Sequence, residues 1–194
     1  MAPMLIVLSG LPATGKTALA TAVAGEMGAA LLSVDPIDSA LTEAGVHEMG
    51  HPGIAAYAVV GAVAEQNLGI GLSVVVDAVN AVGEAKTFWI ELSRRTGAPL
   101  LAVEAIVSDD EVHRTRLDGR VRALAIAEPS WEAVRLRRDE WVAWPFAPLV
   151  VDAVDPLAGN VARVVAAARA VMEPLGPIGP GSGDNETPEG TSGP

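Results

Sequence analysis

The sequence predicts an α/β fold in three layers, a mostly parallel sheet covered on both faces by helices. Three observations lead there. Short apolar runs alternate with helical patterns along the whole chain. The runs are apolar at consecutive positions rather than at every second one, as strands buried on both faces are. The first run passes through a glycine-rich turn directly into a helical segment. With 194 residues, 50% of them hydrophobic, the chain can bury one sizeable core and is too short for two ordinary domains.

Met4–Leu8 is the first strand, ending at Ser9-Gly10, and the alanine-rich stretch Thr17–Met27 reads as the helix after it. Ala30–Val34 is the second strand. It stops at Asp35-Pro36, because proline disfavours helix at the residue before it. Leu72–Val76 is the third strand, closed by Asp77. Leu100–Val107 is the fourth, and Leu149–Val151 a short fifth before Asp152. Helical patterns fill 37–45, 53–68, 83–96, 109–124, 130–143 and 157–172. Residues 1–173 therefore read as one catalytic domain. From Pro174 onward, 11 of 21 residues are Gly or Pro and every charged one is acidic, so 174–194 is expected to be a disordered tail.

Composition narrows the function. The chain has no cysteine, which excludes a disulfide framework, a thiolate metal site and a thiol nucleophile, and is compatible with the reducing cytoplasm expected as its location. The N-terminal apolar run lacks a basic leader and is far too short to span a bilayer, so neither secretion nor a membrane partner is expected. A formal charge of −11 repels nucleic-acid phosphate, and a polynucleotide partner is disfavoured. A homo-oligomer is compatible with everything the sequence contains.

The strongest motif is Gly10-Leu11-Pro12-Ala13-Thr14-Gly15-Lys16-Thr17, which fills G-x-x-x-x-G-K-[ST] between a strand and a helix, the context that motif requires. Glycines let successive backbone N–H groups point at phosphate oxygens, and the helix start adds its positive dipole end. Lys16 is expected to neutralise the β and γ phosphates of ATP and Thr17 to ligate Mg²⁺. The motif implies nucleotide binding and leaves the reaction open, since GTPases, motor ATPases and small kinases share it.

Two strand-end carboxylates point to phosphoryl transfer. Asp35 closes the second strand, and the carboxyl ends of parallel strands line one crevice. There it can take the proton of an attacking hydroxyl. An Asp before Pro36 also fits a helix N-cap; beside the phosphate loop the catalytic role is favoured. Asp77 ends an apolar strand as a magnesium-positioning acid does, with a plain strand-end cap as the alternative. Asn80 is a candidate contact to the acceptor or to the phosphate region, and Asp38 to the acceptor, Asp38 being equally a first-turn helix acid.

Of 13 basic residues, seven lie between Arg114 and Arg138 and all seven are arginine. Arg116 and Arg120 are i,i+4 on the helix expected over 109–124, so both guanidinium groups can reach one phosphate site as part of a lid. Arg114, Arg122, Arg135, Arg137 and Arg138 read individually as solvated helix arginines, paired with acids such as Asp109, Asp110, Glu111 and Asp118.

Together these elements resemble the small P-loop kinases that include chloramphenicol phosphotransferase, the zeta toxins and the 5′-kinase domain of phage polynucleotide kinase. The resemblance spans about residues 4–172 and rests on Gly10–Thr17, Val34-Asp35, Gly71–Asn80, Arg116–Arg120 and Val151–Asn160. It implies a P-loop NTPase fold with a five-stranded sheet in the order 2-3-1-4-5 and ATP with Mg²⁺ as the donor. It further implies Asp35 as base, Arg116 and Arg120 on the lid, and a loop after Asp152 bordering the adenine. Where that family often carries an arginine shortly after Asp-x-x-Asn, this chain has Lys86.

Residues 36–70 are expected to wall an acceptor pocket that is fairly apolar, with His47, His51 and Tyr57 as its most capable polar groups. The expected activity is transfer of a γ-phosphoryl group to the hydroxyl of a small molecule such as an antibiotic, nucleoside or sugar. Two alternatives remain at this level, a zeta-toxin-like kinase of nucleotide-linked amino sugars and an ATP-dependent switch protein that transfers nothing.

Overall fold

A computed structural model of the chain describes residues 2–46, 53–122, 124–125 and 127–172; the expected tail, His47 and His51 lie outside them. The elements run β1 (Leu5–Ser9), α1 (Lys16–Met27), β2 (Ala30–Ser33), α2 (Val34–Glu43), α3 (Ile54–Gly69), β3 (Val74–Asp77), α4 (Gly83–Thr96), β4 (Leu100–Ile106), α5 (Asp110–Asp118), α6 (Trp131–Asp139), β5 (Leu149–Asp152) and α7 (Leu157–Met172). The five strands form one sheet in the order β2-β3-β1-β4-β5, and every neighbouring pair is parallel. This is the order and layering the resemblance implied.

Strand geometry explains the two-sided core, because successive side chains leave opposite faces of a strand. Met4, Ile6 and Leu8 enter a layer with α1 and α7 through Leu19, Val23, Val161 and Val165. Leu5 and Val7 enter the other, with Val60, Ala64, Trp89 and Leu92 of α3 and α4. A third, small cluster of Leu11, Leu117 and Val134 ties α5 and α6 to the loop after β1.

Three helix boundaries differ most from the sequence expectation, one of them the end of α6, at Asp139 rather than 143. Asp35 does not close β2; helix α2 already begins at Val34, with Ser33 as its extended N-cap. Pro36 is tolerated there because a first-turn N–H has no intrahelical partner to lose. Helix α5 ends at Asp118 rather than 124, and the backbone turns at Gly119, whose N–H donates to Thr115 O. Arg120 therefore lies beyond the helix, and the i,i+4 argument that paired it with Arg116 does not hold.

Candidate nucleotide and acceptor site

The loop after β1 is shaped to hold an anion. Ala13 and Gly15 both have left-handed backbone, with φ of 65° and 76°. Such turns orient neighbouring N–H groups into a concavity. A Cβ on Gly10 would stand 2.6 Å from Ala105 O and 2.7 Å from Thr14 Oγ1, so only glycine allows β1 and β4 to close behind the loop. Helix α1 starts at Lys16 with no side-chain cap and no acidic residue in its first turn, which leaves its positive end open to phosphate.

Lys16 is buried, with 3% of its surface exposed. Burial lowers its pKa, while the carboxylates of Asp77 and Asp35 pull it upward. Parallel pairing sets Leu8 and Ser33 level with Asp77, which brings that acid to the base of the loop. Asp77 is itself buried; Ser33 Oγ donates to its Oδ2 at 3.4 Å, and its Oδ1 has no protein partner. Thr17 is exposed and lines a recess of about 210 Å³ with Gly15, Lys16, Arg116 and Arg120. The two arginines thus meet at one site although only the first is on α5.

A second recess of about 330 Å³ adjoins the first and is lined by Gly15, Arg116, Val151, Ala153, Asp155 and Asn160 among others. Arg116 Nη2 donates to Ala153 O at 2.9 Å. Asp152 holds this loop in shape. Burial pushes its pKa up, but the Ser108 hydroxyl, together with the N–H groups of Val154 and Ser108, outweighs that and brings it below the ordinary carboxylate value. Asn160 Nδ2 donates to Asp152 O at 2.7 Å.

A larger cavity of about 670 Å³ is bounded by α2, α3, the segment 79–88 and Arg137 of α6. Its walls extend beyond the 36–70 segment the sequence suggested. Tyr57 and Asp38 line it. Asn80 does too, but its amide is committed elsewhere: Nδ2 donates to Leu8 O and Ser9 Oγ, and Oδ1 accepts from Trp89 Nε1 at 2.8 Å. The backbone N–H of Asn80 donates to Tyr57 Oη at 3.2 Å, and its φ of 52° turns the chain out of β3. Burial pushes the Tyr57 phenol up to about 12, so it stays protonated.

Asp35 lines neither space; its carboxylate acts electrostatically on both Lys16 of the loop and Tyr57 of the larger cavity. Arg122 Nη1 donates to its Oδ2 at 2.5 Å. The same guanidinium bonds Glu128 through Nε, and Glu128 also pairs with Arg120 at 3.4 Å. Arg122 is therefore no solvated helix arginine. The concentration of arginine was visible in the sequence, but a partner 87 residues away was not.

His113 was not singled out by sequence either. It is buried on α5, with Nε2 2.7 Å from Pro12 O and Nδ1 3.1 Å from Arg138 Nη2. A carbonyl only accepts and a guanidinium only donates, so the neutral ring with its proton on Nε2 fits both partners. Lys86 lines neither recess: it bonds Val142 O and lies 4.3 Å from the centre of the Trp141 ring. Among the described residues no three His, Cys, Asp or Glu side chains form a metal cage, and no helix is long and apolar enough to cross a membrane.

The family model described as AAA domain matches residues 5–143. No protein of curated function matches the chain by sequence. Among solved structures, a Chloroflexus aurantiacus protein described as a kinase is 21% identical, covering 88% of this chain and 98% of its own, with a TM-score of 0.70. The Mycobacterium tuberculosis APS kinase CysC, solved with AMPPNP and APS, is 17% identical over 87% of this chain and 98% of its own, at a TM-score of 0.63. Kti12 of Chaetomium thermophilum, solved with ADP-AlF3, is 19% identical over 88% of this chain and all of its own, at 0.64. At these identities the likeness establishes a shared P-loop fold.

Proposed function

From a chain that belongs to the AAA domain family and has the P-loop fold, we propose an ATP-dependent kinase that phosphorylates a hydroxyl of a small molecule. The observation that carries this reading is the position of Asp35. Its carboxylate acts electrostatically both on Lys16 of the phosphate loop and on Tyr57 of the larger cavity, which supports a role linking the two. A nucleotide-binding protein without transfer chemistry has no need of an acid at that junction.

In the proposed reaction the loop amides and Lys16 hold the triphosphate, with the base and ribose toward Ala153 and Asp155. The acceptor oxygen forms a bond to the γ-phosphorus as the bond from γ-phosphorus to the β-γ bridging oxygen breaks, and ADP departs. The hydroxyl proton passes to the Asp35 oxygen not held by Arg122 and then to solvent. Arg116 and Arg120 meet the negative charge on the transferred group. Thr17 and Asp77 are the residues that would hold Mg²⁺, and the partnerless buried Oδ1 of Asp77 fits that assignment. When bound, the ion neutralises charge on the β and γ phosphates. The absence of cysteine agrees with a cytoplasmic setting.

The deciding measurement is phosphate transfer from labelled ATP to a panel of nucleosides, sugars, aminoglycosides and phenicols. Asp35→Asn is expected to slow transfer by about 10²–10⁴ while ATP affinity holds. Lys16→Ala is expected to lose both. The switch reading is favoured by one observation, that Arg122 already engages Asp35. It gains the field if Asp35→Asn leaves turnover unchanged.

A further inference from the structure

We infer that His113 is a positioning residue of the phosphate loop, acting through the Pro12-Ala13 peptide to aim the Ala13 N–H at a phosphate of the bound nucleotide. The inference rests on the nucleotide-holding half of the reading above and does not depend on the acceptor. Residues 11–14 have few ties to their surroundings. Thr14 N–H and Thr14 Oγ1 both donate to Leu11 O, inside the loop. Among the described residues, the one hydrogen bond that reaches 11–14 from elsewhere joins His113 Nε2 to Pro12 O at 2.7 Å. Leu11 packs on α5 and α6, but Gly10, Leu11 and Thr14 also border a cavity of about 300 Å³, so packing does not enclose the loop on that side.

The carbonyl and the N–H of one trans peptide point in opposite directions, and the described chain has no cis bond. Holding Pro12 O toward α5 therefore holds the Ala13 N–H on the side away from α5. That N–H donates to none of the described residues, and Ala13 lines both recesses, which His113 does not. Residue 13 also needs the restraint, because its left-handed φ of 65° is costly for any residue but glycine. The ring that supplies it is itself held. Arg138 Nη2 lies 3.1 Å from Nδ1 while Nη1 pairs with Asp110 at 2.6 Å, which keeps the ring proton on Nε2, where the carbonyl needs it. The Trp131 ring meets the imidazole edge-on, with centroids 5.2 Å apart. Helix α5 carries Arg116 three residues further on, so the same contact sets that arginine against the loop.

The test uses the full chain at about pH 8, above the titration range of histidine. Pro12-Ala13 is the single Pro-Ala step in the sequence, so labelling proline with carbonyl carbon-13 and alanine with nitrogen-15 yields one carbonyl-linked amide signal, that of Ala13. The ligands are AMPPNP with Mg²⁺ and inorganic tripolyphosphate, titrated by calorimetry and by that signal. His113→Gln keeps an N–H at the place of Nε2. His113→Leu has similar bulk and no donor; His113→Asn is polar, stops short of Pro12 O, and carries the test if the apolar replacement does not fold. In wild type the Ala13 proton is expected to move downfield as either ligand binds. His113→Leu and His113→Asn should reduce that movement and weaken both ligands roughly tenfold, the scale of one hydrogen bond to a charged group. His113→Gln should stay within about threefold of wild type.

An Ala13 signal that stays in place when tripolyphosphate binds overturns the inference. So do unchanged affinities in the two variants that cannot reach Pro12 O, or a loss in His113→Gln as large as theirs. A chain that binds neither ligand overturns it together with the phosphate-loop assignment. Transfer from labelled ATP is measured alongside. The expected pattern of binding without transfer upholds the role of His113 and removes the kinase reading; transfer with affinities that no variant alters does the reverse.

Discussion

Arg122 Nη1 meets Asp35 Oδ2 at 2.5 Å, joining the chain just past α5 to the first turn of α2, with only 18% and 27% of the two side chains exposed. An ion pair so placed fixes the orientation of the carboxylate proposed as the base. In the proposed reaction Arg122 is therefore a positioning residue, acting through Asp35.

That dependence predicts non-additivity. Arg122→Gln is expected to lower transfer roughly tenfold by releasing Asp35, and to have no further effect once Asp35→Asn is in place. The stability coupling between the two sites is expected near 1 kcal/mol, as for a partly exposed pair. Steady-state rates and denaturant midpoints of the two single variants and the double variant check it. Fully additive losses would show Arg122 acting on the phosphate by itself.

Glu128 predicts the opposite sign. Its carboxylate bridges Arg120 and Arg122, groups that an incoming triphosphate would also attract. Glu128→Gln is therefore expected to tighten binding of a non-hydrolysable ATP analogue by about two- to tenfold, the scale of one partly exposed ion pair. Calorimetric titration measures this directly. Weaker binding by the variant would mean that Glu128 organises the arginines instead of competing for them.

Stability should fall in mild acid through His113. Burial lowers its pKa, and Arg138 opposes a proton on Nδ1, while Pro12 O and Asp110 act the other way. The unfolded histidine, with an ordinary pKa near 6.5, takes up its proton first. More protons on the unfolded state mean that stability rises with pH, so His113's contribution is present above about pH 6.5 and is lost as pH falls below it. Denaturation midpoints from pH 7.5 to 5 in wild type and His113→Gln should differ in slope, the variant being flatter. Equal slopes would assign any acid sensitivity elsewhere.

Lys86 is expected to matter for folding and not for ATP. Removing its ammonium strands Val142 O and breaks the contact with Trp141, so Lys86→Met should cost about 1–3 kcal/mol. ATP affinity should stay within about twofold, a change below 0.5 kcal/mol. A large loss of affinity at unchanged stability would put this lysine at the phosphates.

Much of the fold was legible because its signals are local. Five apolar runs bounded by Gly, Asp and Pro give the strands, and the phosphate loop with its flanking elements fills a contiguous motif. The errors came where tertiary context overrode local rules. Pro36 marks a boundary by its effect on Asp35, yet the first turn of α2 absorbs both residues because its donors need no helical partners. Gly119 ends α5 early inside a charged stretch that reads as continuous helix. Lone side chains were legible only where a motif named them. Glu128, His113 and Arg137 take their significance from residues far along the chain, and no spacing within the sequence encodes those meetings.

Asn80 joins parts of the molecule that would otherwise be free to change separately. Its amide holds the last residues of β1 and the indole of α4, while its backbone holds the phenol of α3. Rebuilding the inner wall for a different acceptor would therefore disturb the first turn of the nucleotide loop. Retargeting the protein is best confined to outer positions such as Ile54, Ala58, Val82 and Ala85, which touch the cavity without entering that junction. In the proposed kinase, a change of acceptor and the preservation of the phosphate loop would in this way fall to different residues.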